Sequence, residues 1–161
     1  MPIFFVDKSS RKVAAVHCGR MGLEKKILKK LVKIFENTGT SRREILVAIG
    51  PSISSSHYLV DPFCYREFIR KIKLFERYEY QNKIERLQKY YNYSQKDLNP
   101  LDLKKYAYLQ LINEDILSKN IDISKECTFS LSKEFYSYRR SKTSLRQWNF
   151  ISGWNYKIYY Y

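Results

Sequence analysis

Val13-Ala14-Ala15-Val16-His17-Cys18-Gly19-Arg20-Met21-Gly22-Leu23 decides the fold of this chain. A short apolar run ends in a histidine, two glycines bend the backbone, and a helical pattern begins at once. Strand, tight turn and helix follow in that order. A histidine at the end of a strand, where the chain turns into a helix, stands where α/β-type proteins build their sites. The chain has only two histidines, which makes His17 conspicuous.

Upstream, residues 2–6 and 13–17 read as strands joined by the polar turn Asp7-Lys8-Ser9-Ser10-Arg11, a hairpin. Met1 leads straight into the first strand, so the domain is expected to be truncated on its N-terminal side. Downstream, residues 22–36 predict one amphipathic helix. Leu23, Ile27, Leu28, Leu31, Val32, Ile34 and Phe35 share one half of its wheel, and Lys25, Lys26, Lys29, Lys30 and Lys33 the other. The lysine half reads as a solvated face. Ile45-Leu46-Val47-Ala48-Ile49 predicts a strand buried on both faces, stopped by Gly50-Pro51. A short strand is expected near residues 57–60. Asp61-Pro62 predicts a helix start with proline in its first turn, and Phe63, Phe68, Ile69, Ile72 and Phe75 supply an apolar face.

Residues 77–98 are polar and tyrosine-rich and read as a surface excursion. Asn99-Pro100 predicts a second cap-and-proline start, with a helix to about residue 118. Short strands are expected at 121–123, at 126–130 around Cys127, and near 146–151. The fold class is therefore α+β, a mixed β-sheet with packed helices. Residues 1–152 are expected to form its domain and 153–161 an aromatic tail.

Composition narrows the class. The 161 residues suffice for one domain with a real core. No apolar stretch approaches the roughly 18 residues of a membrane span, and no signal sequence is evident. A cytoplasmic protein without a membrane partner is expected. Three widely spaced cysteines, Cys18, Cys64 and Cys127, fit reduced thiols. The net charge of +14 invites a nucleic-acid reading. The lysines are dispersed rather than gathered in a stripe, so nucleic acid is not expected as a partner. A basic nucleic-acid-binding module ranks last among the alternatives.

Several segments, in order, resemble one family. His17-Cys18-Gly19-Arg20-Met21-Gly22 resembles its His-Ala-Gly-Trp-Arg-Gly turn. Ala48-Ile49-Gly50-Pro51-Ser52-Ile53 with Tyr58-Leu59-Val60 resembles its Ile-Gly-Pro segment and Tyr-Glu-Val strand. Asp102-Leu103 resembles its Asp-Leu helix start. Cys127-Thr128, Phe135-Tyr136-Ser137-Tyr138-Arg139-Arg140, Thr143 and Arg146 resemble its C-terminal signature. The family is the laccase-domain, or multicopper polyphenol oxidoreductase-like, family. Its members are also described as purine nucleoside phosphorylases with adenosine deaminase activity.

The resemblance implies phosphorolysis of adenosine, inosine or guanosine, with adenosine deamination as a further activity, and purine nucleoside and phosphate as partners. It implies a metal, zinc with copper as alternative, held by two histidines and a cysteine. His17 matches the second histidine. The cysteine belongs to an Ala-Asp-Cys-Leu-Pro segment that would precede Met1, and the first histidine lies further upstream. The metal is accordingly expected to be lost and the activity impaired, with a non-catalytic degenerate fragment as the alternative. Of the remaining candidates, His57, Cys64 and Cys127 read as a loop histidine and two buried thiols.

By the same resemblance His17, Arg139 and Arg140 are the catalytic candidates. Arg20, Tyr136, Tyr138 and Arg146 are the substrate-binding ones. Arginine presents a planar fork that matches phosphate oxygens, and tyrosine rings stack on bases. Arg20 and Met21 stand where the family has a Trp-Arg pair, and Ser141 where it has an acidic residue. Missing neighbouring strands would expose sheet edges and apolar faces, so self-association is expected.

Overall fold

The computed structural model describes residues 1–72 and 98–153. Strands β1 (Pro2–Asp7) and β2 (Val13–His17) form the predicted hairpin. With β3 (Ile45–Ile49) and β6 (Ile121–Ile123) they make a four-stranded sheet in the order β2-β1-β3-β6. β1 runs antiparallel to both neighbours, while β3 and β6 are parallel. The two-residue strands β4 (Leu59–Val60) and β5 (Asn99–Pro100) pair separately. The helices are α1 (Arg20–Glu24), α2 (Ile27–Asn37), α3 (Pro62–Ile72), α4 (Leu103–Asn113) and the short α5 (Tyr138–Ser141).

One face of the sheet carries the core. Ile3, Phe5, Ile45, Val47 and Ile49 are buried against Leu23 of α1, Leu28, Val32 and Phe35 of α2, Phe68 of α3, and Leu103, Ala107 and Leu111 of α4. Fully burying each of the larger of these side chains contributes about 1.5–3 kcal/mol. The opposite face carries Phe4, Val6, Leu46 and Ala48, with Phe150 and Ile151 beside them. Leu46 and Ala48 are exposed, so β3 alternates rather than being buried on both sides. No helix crosses this face among the described residues to bury it.

Several predicted elements differ. The single helix 22–36 is two helices. Lys25 ends α1 and Lys26 adopts a left-handed conformation at φ 54°, which redirects α2. The lysine run hides this break, because periodicity says nothing about one residue's φ. Ile34 falls off the buried face and is exposed. Asp61 caps α3 as expected, its carboxylate accepting from Cys64 N–H at 2.8 Å. Asn99-Pro100 is not a helix cap but strand β5. The cap is Asp102, which accepts from Lys105 N–H at 3.0 Å. α4 stops at Asn113, five residues short of expectation. The 126–130 strand reduces to one bridge, Ser52 with Cys127, and residues 146–151 form no strand. Of the thiols, only Cys18 is buried, while Cys64 and Cys127 are partly exposed. The excursion expected at 77–98 falls outside the described residues except for Leu98, and so does the tail beyond Gly153.

Asp7 closes the hairpin from inside. Its buried carboxylate accepts hydrogen bonds from Ser9 N–H at 2.8 Å, Ser9 Oγ at 2.6 Å, Thr40 Oγ1 at 2.6 Å and Ser10 Oγ. Burial alone would push the group up, but the donors from Ser10, Ser9 and Thr40 outweigh it and hold the carboxyl well below the usual range. A carboxyl depressed on folding contributes stability above its unfolded value, about 3.9. That contribution is lost as pH falls from there through the folded value. Asp7→Asn is therefore expected to lose about 2 kcal/mol at neutral pH. Urea denaturation across a pH series should show the gap between wild type and variant closing on acidification.

Candidate functional site

Strand register brings the site together. Pro2 lies opposite His17, Ile3 opposite Ile49, and Ile49 opposite Ile123. The ends of β2, β3 and β6 and the start of β1 therefore meet at one edge of the sheet. Loops leaving the carboxyl ends of strands are where α/β sheets place ligands. Gly50 fits here because it has no side chain: a Cβ would lie 2.7 Å from Pro2 Cγ. Its N–H donates to Pro2 O at 2.9 Å.

His17 ends β2 on the open face, and its ring is exposed. Cys18 points the other way and is buried, as strand alternation requires. The positive amino group of Met1, and then partial burial, hold the imidazole below its ordinary value. That direction favours the neutral imidazole, the form able to act as a ligand or base. Among the described residues, no group of three or more His, Cys, Asp or Glu side chains is placed to hold a metal ion. A catalytic zinc needs about three protein ligands. The described residues therefore do not by themselves fit zinc or copper.

Beside this edge, Tyr58 gathers cations. The Arg139 guanidinium lies 5.0 Å from its ring centroid, a cation–π distance. Arg20, at the start of α1, pairs with Glu24 and lies within electrostatic range of Tyr58. Burial works against the charge of Arg20. Cys64, Glu24 and Tyr58 outweigh it and hold the guanidinium above the ordinary arginine value. Arg139 is exposed and Arg20 partly buried, so both present donors to solvent.

The adjacent Arg140 does something else. Its guanidinium donates to Thr128 O at 2.8 Å, Phe129 O at 2.7 Å and Phe135 O at 2.7 Å. It ties the loop after Cys127 to the segment that carries Arg139. Ser137, buried at the start of α5, accepts from Arg140 N–H at 3.4 Å and fixes the turn. Tyr136 and Tyr138 are half-exposed. Lys142 Nζ lies 5.0 Å and the Arg146 guanidinium 5.8 Å from the Tyr138 ring. Arg146 also donates to Thr143 O and Leu145 O, each at 2.8 Å.

The structure thus sets Arg139 over the Tyr58 ring, with Arg20 in electrostatic range of that tyrosine. It sets Tyr138, Lys142 and Arg146 in a second group and turns Arg140 inward. Sequence reasoning missed Tyr58 as the residue uniting Arg20 and Arg139. Its signals were its place after the serine-rich loop and the likeness of Tyr58-Leu59-Val60 to the family's Tyr-Glu-Val strand. It also missed the contact of Cys127 with Ser54 and His57, which lie some seventy residues away along the chain.

Among the described residues no helix is long and apolar enough to cross a membrane. Residues 1–153 match the family model described as multi-copper polyphenol oxidoreductase laccase. A protein of Synechocystis named purine nucleoside phosphorylase slr1573 is 26% identical over 93% of this chain and 59% of its own length. Bacillus subtilis purine nucleoside phosphorylase YlmD is 31% identical over 88% of this chain and 47% of its own. The crystal structure of Bacillus licheniformis YfiH superposes with a TM-score of 0.73 at 25% identity, over 88% of this chain and 49% of that one. YlmD of Geobacillus stearothermophilus gives 0.72 at 26% identity, over 88% and 48%. The chain thus spans about half the length of its relatives. It belongs to the multi-copper polyphenol oxidoreductase laccase family, and its mixed sheet with packed helices is the fold of YfiH and YlmD.

Proposed function

We propose that this chain binds a purine nucleoside and inorganic phosphate at the Arg20–Tyr58–Arg139 cluster, as the substrate-holding part of a purine nucleoside phosphorylase. The observation that carries this is the Arg139 guanidinium over the Tyr58 ring, with Arg20 in electrostatic range of the same tyrosine. Phosphorolysis joins a phosphate oxygen to the sugar carbon and releases the base, so a site must neutralise phosphate and seat a flat ring. Arg20 and Arg139 do the first. The half-exposed rings of Tyr136 and Tyr138 supply stacking surface for the second, with Arg146 and Lys142 beside Tyr138. Arg140 acts as a positioning residue through the carbonyls it holds. The relatives named purine nucleoside phosphorylase support this substrate class.

His17 is the residue we assign to a metal, zinc before copper, with further ligands required from outside the described residues. Because those residues offer no three-ligand group, we propose that turnover by this polypeptide alone, phosphorolysis and adenosine deamination alike, is impaired while binding persists. The same observation favours the second reading, a non-catalytic remnant. We place the protein in the cytoplasm, where its three cysteines would stay reduced. The open apolar sheet face with Leu46 and Phe150 is where we expect self-association.

Binding tests separate these readings. Calorimetric titration with inosine and inorganic phosphate should show binding by the wild type. Arg139→Ala and Arg20→Ala should each weaken phosphate by about tenfold, matching the loss of about 1.4 kcal/mol. Unchanged phosphate affinity in both variants would refute the site, and failure of the wild type to bind either ligand would leave the remnant reading.

Arg140→Ala is expected to act on stability instead. It strips three carbonyls of their donor and should cost about 2 kcal/mol in thermal melts, against about 0.5 kcal/mol or less for Arg139→Ala. Metal analysis of the purified chain should find zinc well below one per molecule. A full equivalent together with rapid inosine cleavage would overturn the proposed impairment.

A further inference from the structure

Away from the arginine and tyrosine cluster, the Ser52–Cys127 bridge builds a second polar group. Cys127 Sγ accepts from Ser54 N–H at 3.3 Å and Ser54 Oγ at 3.1 Å. His57 Nδ1 lies 3.8 Å from the same sulfur and 3.1 Å from Ser54 Oγ. The imidazole stacks on Phe129 at 4.5 Å, which fixes its plane. His57 from the serine-rich loop lies beside the thiol, and Lys104 from α4 interacts with it electrostatically. Lys104 Nζ is held there by Ser124 O at 2.6 Å and Glu126 O at 2.7 Å.

Burial pushes the Cys127 thiol up, but donors from Ser54 and Ser130 outweigh it and bring the group to about 6. The sulfur is a thiolate at neutral pH and its residue is partly exposed. Cys18, by contrast, is fully buried and pushed up to about 12.

A second observation is independent of the thiol. Ser52 is 5% exposed, and its hydroxyl has no hydrogen-bond partner among the described residues. Buried hydroxyls are seldom left unpaired. Ser52 is the bridge partner of Cys127, so the two side chains leave the same side of the bridge. A buried hydroxyl without a partner therefore stands across the bridge from Cys127.

We propose that Cys127 is an oxidation site for hydrogen peroxide, forming a sulfenic acid whose added oxygen is received by the Ser52 hydroxyl. The thiolate attacks one peroxide oxygen. An S–O bond forms as the O–O bond breaks. The sulfur gives up two electrons, the peroxide accepts them, and the departing hydroxide takes a solvent proton to become water. Ser54 holds the thiolate before reaction and Ser52 holds the oxygen after it. This assignment does not depend on the nucleoside reading.

The native full chain is treated with hydrogen peroxide in the presence of dimedone, and labelled peptides are identified by mass spectrometry. Cys127 should be trapped well before Cys64 and Cys18, and urea should abolish the order. Iodoacetamide labelling of Cys127 should show a midpoint near about 6. Ser54→Ala should move it up toward the free-thiol value of about 8.5. Ser52→Ala should leave that midpoint in place and shorten the lifetime of the sulfenic acid. Trapping at Cys64 as fast as at Cys127 in the folded wild type would overturn the proposal. So would a Ser52→Ala variant whose sulfenic acid lives as long as the wild type's.

Discussion

The central position of β1 is the constraint on which the rest depends. This strand is hydrogen-bonded on both sides, to β2 and to β3, and its first residues pass against Gly50 with no room for a side chain. A one-residue slip on either side would turn Ile3 and Phe5 out of the core, because side chains alternate strictly along a strand. The register that buries them also places His17 opposite Pro2 and brings β2 and β3 to the same edge. The core and the candidate site are thus set by one pairing.

From that edge outward, order is passed along by polar contacts rather than by apolar packing. Asn120 donates to Arg43 O and Ile45 O and fixes the entry to β6. Lys104 anchors the segment after β6 through two carbonyls. Arg140 then gathers the carbonyls of residues 128, 129 and 135. A loop with few buried side chains obtains a defined shape this way, because each buried carbonyl needs a donor. Neighbouring arginines consequently have different chemistry. One is spent inside the loop and the other faces solvent over a tyrosine.

Two polar centres border this edge and differ in kind. At Tyr58 the Arg139 guanidinium lies over the ring and Arg20 is in electrostatic range, which suits an anionic ligand. Around Cys127 hydroxyl and amide donors are collected, which suits a thiolate. Both rest on the loop 50–58, whose serines serve the sulfur and whose tyrosine serves the arginines.

Much was legible from the sequence. Alternating and continuous apolar runs marked β1, β2 and β3, and Asp61 announced α3 through its carboxylate. The turn after His17 and the Phe-Tyr-Ser-Tyr-Arg-Arg run were specific enough to indicate the family, and the comparisons bear that out. Such features are local: a cap, a period or a motif acts within a few residues. The break at Lys26, the strand pairing of Asn99-Pro100, and the single bridge at Cys127 were not legible, whereas Asp102-Leu103 already resembled the family's helix start. Each depends on what a distant segment offers, such as a strand partner for Asn99-Pro100 or Ser52 for Cys127. The sequence by itself determined the strands β1 to β3 and the start of α3, which residues are apolar, and which family the chain resembles. Only the tertiary structure decided that Arg139 rather than Arg140 is free, and that Cys127 meets Ser54 and His57. Side-chain partners separated by tens of residues are chosen by packing, and no local pattern records that choice.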